Sequence, residues 1–133
     1  MAKNSKIPEN YQTVMPYLIV KDAAKFIAFM EKVFDAEETH KSMRDEHTIM
    51  HAEIMLGGST IMFADSTEKF SVQTGGFFMY VDDADETFKK AIDAGATIVA
   101  EVADQSYGRS GGVQDPFGNV WWITSMPEEQ IVI

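Results

Sequence analysis

The sequence predicts an α+β fold: two tandem βαβββ modules that form curved mixed sheets around a cleft, with the helices on the outer face. Two observations support this prediction. Each half of the 133-residue chain holds one apolar run, one amphipathic helix and three further strand-like runs, in that order. The halves also repeat at an offset of 61 residues, which places Val20, Asp22, Ala23 and Gly57 on Val81, Asp83, Ala84 and Gly118.

The boundaries of the elements follow from apolar runs, glycines and turn residues. In the first half strands are expected at 14–20, 37–43, 47–56 and 59–64, and in the second at 76–81, 96–102, 110–114 and 119–124. Gly57 and Gly58 suit a tight hairpin, and the sequence from Asp115 to Gly118 suits a type I turn. The predicted organisation is an N-terminal arm at 1–12, one domain at 13–126 with modules at about 13–65 and 75–126 and a connector at 66–74, and a C-terminal tail at 127–133.

Both predicted helices carry a start signal and an apolar stripe. Asp22 can cap the first helix, whose stripe is Phe26, Ile27, Met30, Val33 and Phe34. Asp83 and Glu86 have the spacing of a capping box at the start of the second helix, which ends at Gly95. Each half is too small to cover both faces of its sheet, so we expect the halves to pack together, within one chain or across a dimer.

The composition excludes several classes of partner and site. Hydrophobic residues make up 45% of the chain and charged residues 24%, as in ordinary globular domains. Twenty-one acidic against eleven basic residues give a net charge of −10, which disfavours nucleic acid and membrane surfaces as partners. The chain has no cysteine, so thiol chemistry is excluded. We find no signal peptide or membrane span and expect a cytoplasmic protein.

Alternation along the strands divides the side chains into a helix-facing set and an opposite set. In the third strand the uniformly apolar set is expected beneath the helix: Met50, Ala52, Ile54 and Leu56. The opposite faces mix apolar bulk with a few polar groups, which is typical of small-molecule sites. The candidate ligand-binding residues are Met15, Tyr17, His51, Glu53, Met55, Met62, Phe78, Tyr80, Arg109, Gln114 and Trp122. The alternative is that these residues fill a dimer interface or the core between the modules.

Two segments of the sequence resemble a known superfamily. The first half opens with VMPYLIVKDAA and the second closes with YGRSGGVQDPFGNVWWI. Together with the duplicated βαβββ order, they resemble the vicinal oxygen chelate superfamily of glyoxalase I, fosfomycin and bleomycin resistance proteins and extradiol dioxygenases. The resemblance covers Thr13 to Met126 and is closest to the small glyoxalase/bleomycin-resistance-like branch. It implies a homodimer with two symmetric clefts.

The resemblance also implies where a metal ion would be held. The four strand positions that supply ligands in the superfamily fall here on Met15, Met62 (or Ile61), Gly76 and Trp122. None of these is an imidazole or carboxylate donor, which catalytic divalent ions require. We therefore expect neither a metal nor another cofactor.

His51 and Glu53 are the remaining candidate catalytic residues, because they lie two residues apart on one strand and so share a face. They can form a pair in which the carboxylate orients the imidazole as a general base or cation-binding point, they can be metal ligands, or they can be ordinary polar residues. Arg109 is expected in a loop, where it can close over an anionic or planar ligand or pair with a carboxylate. The G-x-S-x-G pattern at 108–112 lacks the following helix of a nucleophile elbow and is dismissed.

Two hypotheses of function follow. The first is a dimeric small-molecule-binding protein that takes an aromatic or apolar ligand, with a cationic one favoured by the net charge, without a metal. The second is a metal-dependent lyase, isomerase or dioxygenase of the glyoxalase type that uses Glu53 and His51.

Overall fold

The structure is a computed structural model that describes residues 6–127. Residues 1–5 of the predicted arm and residues 128–133 of the predicted tail lie outside the described part. The chain forms two compact units, which divide between Gln73 and Thr74.

The first unit is a four-stranded mixed sheet with one helix. Its elements are β1 (Tyr17–Val20), α1 (Ala23–Phe34), β2 (Glu37–Met43), β3 (Ile49–Leu56) and β4 (Ser59–Asp65). The strand order is β1-β4-β3-β2, with β1 parallel to β4 and the other pairs antiparallel. Gly57 has a φ of 61° in the turn between β3 and β4, so the predicted hairpin is confirmed.

The second unit repeats this arrangement. Its elements are β5 (Gly76–Tyr80), α2 (Ala84–Asp93), β6 (Thr97–Gln105), β7 (Gly108–Gln114) and β8 (Val120–Ser125). The strand order is β5-β8-β7-β6, again with one parallel pair, β5 with β8. The predicted α+β class and the duplicated βαβββ order are confirmed. One local prediction is wrong: Arg109 lies within β7 and not in a loop, because the ladder with β8 extends to the pair Arg109 and Ser125.

Helix α1 is tied to its sheet by packing and by one carboxylate. Phe26 and Met30 are fully buried, and the Phe26 ring meets Phe63 of β4 edge to face at a centroid distance of 4.9 Å. Burying a side chain of this kind is worth about 1.5–3 kcal/mol. The buried Asp65 carboxylate accepts hydrogen bonds from the backbone N–H of Ala23 at 2.7 Å and of Ile49 at 2.6 Å, which joins the helix start to β3 and β4.

The first strand begins later than predicted, and the third contains a bulge. The β1–β4 ladder begins with the pair Tyr17 and Met62, so β1 starts only at Tyr17 and Val14 is 80% exposed. In β3 the pairing with β2 shifts between His51 and Ile49, which leaves Met50 as the extra residue. The alternation therefore reverses: Ile49 is buried and Met50 is 50% exposed. The prediction that Met50 lies beneath the helix is wrong, whereas Ala52 and Ile54 are fully buried as predicted.

The turn before β8 is organised by a buried aspartate. The carbonyl of Asp115 accepts the N–H of Gly118 at 3.2 Å, and its carboxylate accepts the N–H groups of Phe117 and Asn119. The second carboxylate oxygen accepts the indole N–H of Trp121 at 2.8 Å. Trp121 is thereby fixed on the helix side of the sheet, and its neighbour Trp122 lies on the opposite, open face.

Candidate functional site

The open face of the first sheet, the face away from α1, carries most of the candidate residues of the first unit. The β-ladders place Tyr17 beside Met62, Met62 beside Glu53, and Glu53 beside His40. Because partners in a ladder point to the same side, these four side chains form one row across the sheet. Ile61 is buried on the helix side, so Met62 is the residue of this strand that faces the row.

A chain of hydrogen bonds connects this row to the N-terminal arm. The Tyr17 hydroxyl lies 2.9 Å from His51 Nδ1, and His51 Nε2 lies 2.7 Å from Glu53 Oε2. The Tyr11 hydroxyl donates to the other carboxylate oxygen, Glu53 Oε1, at 2.6 Å. We call Tyr11, Glu53, His51 and Tyr17 the relay. When His51 Nε2–H donates a hydrogen bond to the Glu53 carboxylate, Nδ1 accepts one from the Tyr17 hydroxyl, which is a suitable arrangement for moving a proton.

Glu53 is a buried carboxylate that its partners keep ionised. Burial raises its pKa and is the largest single contribution, but the hydrogen bonds from Tyr11 and His51, with the charges of His51 and His40, together leave the pKa below its ordinary value. The same bond to Glu53 raises the pKa of Tyr11, because the phenol must remain protonated to donate. Both oxygens of Glu53 are thus engaged by the protein itself.

The arm reaches Glu53 because it is attached to β4. The Gln12 side chain donates to the backbone oxygen of Thr60 at 3.0 Å and accepts its N–H at 3.2 Å. The Thr60 hydroxyl also donates to the backbone oxygen of Asn10. Sequence reasoning missed Tyr11, since a tyrosine in a polar, non-periodic segment carries no local sign of its distant partner.

The open face of the second sheet, away from α2, presents a group of exposed aromatic side chains. Phe78 meets Tyr80 edge to face at 5.4 Å and Tyr107 at 5.8 Å. Trp122 is paired with Phe78 in the β5–β8 ladder and therefore points to the same side. All four are at least 37% exposed. We call Phe78, Tyr80, Tyr107 and Trp122 the aromatic platform.

Gly112 positions the indole of Trp122. A Cβ atom at Gly112 would lie only 2.6 Å from Trp122 Cζ3 and 2.8 Å from Cε3, so the six-membered ring rests directly on the glycine backbone. On the other face, a Cβ atom at Gly111 would lie 2.7 Å from Val102 Cγ2 and 3.0 Å from the ring of Phe88 in α2. The two glycines are thus a packing feature of strand β7, one glycine for each face.

Arg109 is engaged by carboxylates of its own unit. Its guanidinium donates through Nε and one terminal nitrogen to both oxygens of Asp85, at 2.6 and 3.1 Å, and through Nη1 to Asp104 at 3.2 Å. The bond to Asp85 raises the pKa of Arg109 and lowers that of Asp85. Of the two roles considered for Arg109, the structure therefore places it in the intramolecular pair.

The remaining candidates have peripheral positions. Met15 precedes β1 and is half-buried, Met55 contacts the Thr60 hydroxyl through its sulfur at 3.8 Å, and Gln114 is exposed with a 3.5 Å contact to the oxygen of Gly118. The structure thus brings Tyr17, His51, Glu53 and Met62 together in the first unit and Phe78, Tyr80 and Trp122 together in the second.

The residues at the superfamily's metal positions do not fit a divalent ion. Met62 offers a thioether, Gly76 offers no side chain, and Trp122 lays its ring on Gly112. Within residues 6–127 no group of three or more His, Cys, Asp or Glu side chains is placed to hold a metal.

Duplicated βαβββ units with this closing turn define a class of protein, and comparison with known proteins agrees. The family model of the glyoxalase/bleomycin resistance protein/dioxygenase superfamily matches residues 11–123, and the chain belongs to this family.

Neither of the two described helices is long and apolar enough to cross a membrane.

Relatives of known sequence and structure extend the comparison. The chain is 36% identical over 118 residues to Mb0911c of Mycobacterium bovis, covering 80% of this chain and 78% of that protein. Among solved structures it resembles the At5g48480 product of Arabidopsis thaliana, with 27% identity, a TM-score of 0.70, and coverage of 86% and 98% of the two chains. FosX of Listeria monocytogenes, a fosfomycin resistance protein solved with Mn(II), shares the fold at 20% identity and a TM-score of 0.70, covering 90% and 96%.

Proposed function

We propose that the protein binds a flat, apolar and cationic small molecule on the aromatic platform, without a metal ion. The observation that carries the proposal is the exposure of four neighbouring aromatic side chains, three on one sheet face and Tyr107 in the β6–β7 turn: 52% for Phe78, 58% for Tyr80, 47% for Tyr107 and 37% for Trp122. Aromatic faces attract both planar apolar ligands and cations, because the ring quadrupole is negative above the ring.

The distribution of charge supports a cationic ligand. From residue 74 to 133 the chain has ten acidic and three basic residues, so most of the net negative charge belongs to this part of the sequence. Asp82 lies two residues after Tyr80. A negative field of this kind raises the local concentration of cations and their association rate.

A matched pair of ligands tests the proposal: N-methylquinolinium, a flat cation, and quinoline, its neutral counterpart at pH 7.5. We expect the cation to bind more tightly, with an affinity that falls as salt is added. Titration calorimetry of W122A should show a loss of about tenfold or more, and W122F, which keeps a ring, a smaller loss. Equal affinities for the two ligands, or unchanged affinity in W122A, would overturn the proposal.

A second candidate function is metal-free proton transfer at the relay, favoured by the continuous hydrogen bonds from Tyr11 to Tyr17. In this function Glu53 and His51 act as acid and base, as in the second hypothesis from the sequence, but no metal ion takes part. The test is protein-catalysed exchange of C–H protons with D₂O, followed by NMR in a panel of α-keto and α-hydroxy carbonyl compounds. Exchange that is absent, or that persists in E53Q, excludes this function.

A further inference from the structure

The first unit contains a recess, formed by β1, the bulge of β3 and the segment that follows β4. Its volume is about 570 Å³, within the range of small-molecule sites. Three of its walls are apolar or aromatic and partly open to solvent: Tyr17 at 48%, Met50 at 50% and Phe70 at 56% exposure. The Met50 side chain reaches this recess only because of the bulge.

The wall built by the connector is held in place by backbone and side-chain bonds. Gln73 pairs with Ile19 of β1 through two N–H to oxygen bonds of 2.9 Å. Thr67 and Phe70 close a turn, with the Thr67 N–H donating to the Phe70 oxygen at 2.8 Å and the Phe70 N–H donating to the Thr67 hydroxyl at 2.9 Å. The recess is therefore a built feature of the unit and not a gap beneath a free loop.

The charge of this recess is opposite to that of the protein. Arg44 and Lys69 both line it, and neither makes an ion pair with a carboxylate of the described residues. The Lys69 ammonium lies 5.5 Å from the centroid of the Phe70 ring. Asp65 is the one carboxylate in the lining, and each of its oxygens already accepts a backbone N–H. In a chain with a net charge of −10, two cations at one aromatic recess, both without an ion pair among the described residues, make this recess a local site of attraction for an anion.

We propose that this recess binds a small organic acid: a carboxylate on a flat, apolar body. The carboxylate pairs with Arg44 and Lys69, for which a guanidinium is well suited because it can donate two parallel hydrogen bonds. The body lies among Tyr17, Met50 and Phe70, whose flexible thioether and ring faces accept planar groups. This site is distinct from the aromatic platform in unit, in residues and in the sign of the ligand's charge.

The test uses quinoline-6-carboxylate, with quinoline as its neutral counterpart, by titration calorimetry on the full chain. We expect the carboxylate to bind at least about tenfold more tightly than quinoline. R44M and K69M, which keep an apolar stem, should each lose about tenfold in affinity for the carboxylate. K32M is the matched control, because Lys32 is an exposed lysine in the last turn of α1 and outside the recess.

The outcomes separate this proposal from that of the aromatic platform. Carboxylate binding that is lost in R44M and unchanged in W122A supports the recess, whatever N-methylquinolinium does. Equal binding of carboxylate and quinoline, or equal loss in R44M and K32M, overturns it. Loss in W122A but not in R44M also overturns it, because the anion would then occupy the other unit. All substituted side chains are exposed, so equal melting temperatures should show that each variant is folded.

Discussion

At the scale of single residues, Glu53 connects stability to the chemistry of the relay. The residue is only 6% exposed, yet its carboxylate stays charged because Tyr11 and His51 donate to its two oxygens. A buried carboxylate without such donors would be strongly unfavourable. The geometry that keeps Glu53 ionised also orients His51 toward Tyr17.

We predict that E53Q lowers the free energy of unfolding at pH 7 by about 1–3 kcal/mol, as expected when charge-assisted hydrogen bonds are lost. The folded-state pKa of Glu53 lies below its ordinary value. The ionised Glu53 carboxylate therefore contributes fully to the free energy of unfolding above the unfolded-state pKa of about 4.3. This contribution disappears as the pH falls through the lower folded-state pKa. Urea unfolding of wild type and E53Q from pH 7 to pH 3 should show the difference shrink on acidification.

The control for this prediction is Y11F, alone and combined with E53Q. Y11F should act in the same direction at pH 7. Its effect should be smaller in the E53Q background, because the phenol there donates to a neutral amide oxygen and not to a carboxylate. Additive effects of the two substitutions would contradict the coupling that the 2.6 Å contact implies.

At the scale of elements, strand β7 shows how small residues allow large ones to be placed. Gly111 accommodates Phe88 of α2 on one face, and Gly112 accommodates Trp122 on the other. Each glycine weakens the strand by removing a side chain, and each permits a close aromatic contact. The two glycines of β7 therefore make room for the rings of Phe88 and Trp122, which lie on opposite faces of the strand.

We predict that G112A destabilises the protein by about 1–3 kcal/mol, as overpacking does, and turns the Trp122 ring away from β7. The indole emission of W121F/G112A should therefore differ from that of W121F, in which Trp122 is the sole tryptophan. G76A is the matched control, since a Cβ there meets nothing within 4 Å. Stability equal to that of wild type in G112A would show that the indole does not rest on this glycine.

At the scale of the whole molecule, the homodimer implied by the family remains a prediction. Phe78, Tyr80 and Trp122 are exposed together on one sheet face, and grouped apolar side chains of this kind are common at protein–protein contacts. Sedimentation velocity at micromolar concentration should give twice the chain mass of 14.9 kDa. The mass of one chain would contradict the prediction, and a dimer lost in W122A would assign the aromatic platform to the interface instead of to a ligand.

The helices, most strands and their order could be predicted because each depends on local signals. Apolar spacing marks α1 and α2, glycines mark the β3–β4 turn, and Asp115 marks the turn before β8. The strand start at Val14 and the burial of Met50 were wrong for a shared reason. Pairing partners, and not the apolar character of the residues, decide where a strand begins and where a bulge reverses its faces.

The candidate site divides in the same way. The sharing of a face by His51 and Glu53, and by Phe78 and Tyr80, follows from the two-residue period of a strand, so the sequence alone determined it. That Tyr11 donates to Glu53, that Arg109 is held by Asp85 and Asp104, and that Arg44 and Lys69 line one recess were decided only by the tertiary structure. These contacts join residues from separate elements, and their distances depend on how the chain packs, which no local period records.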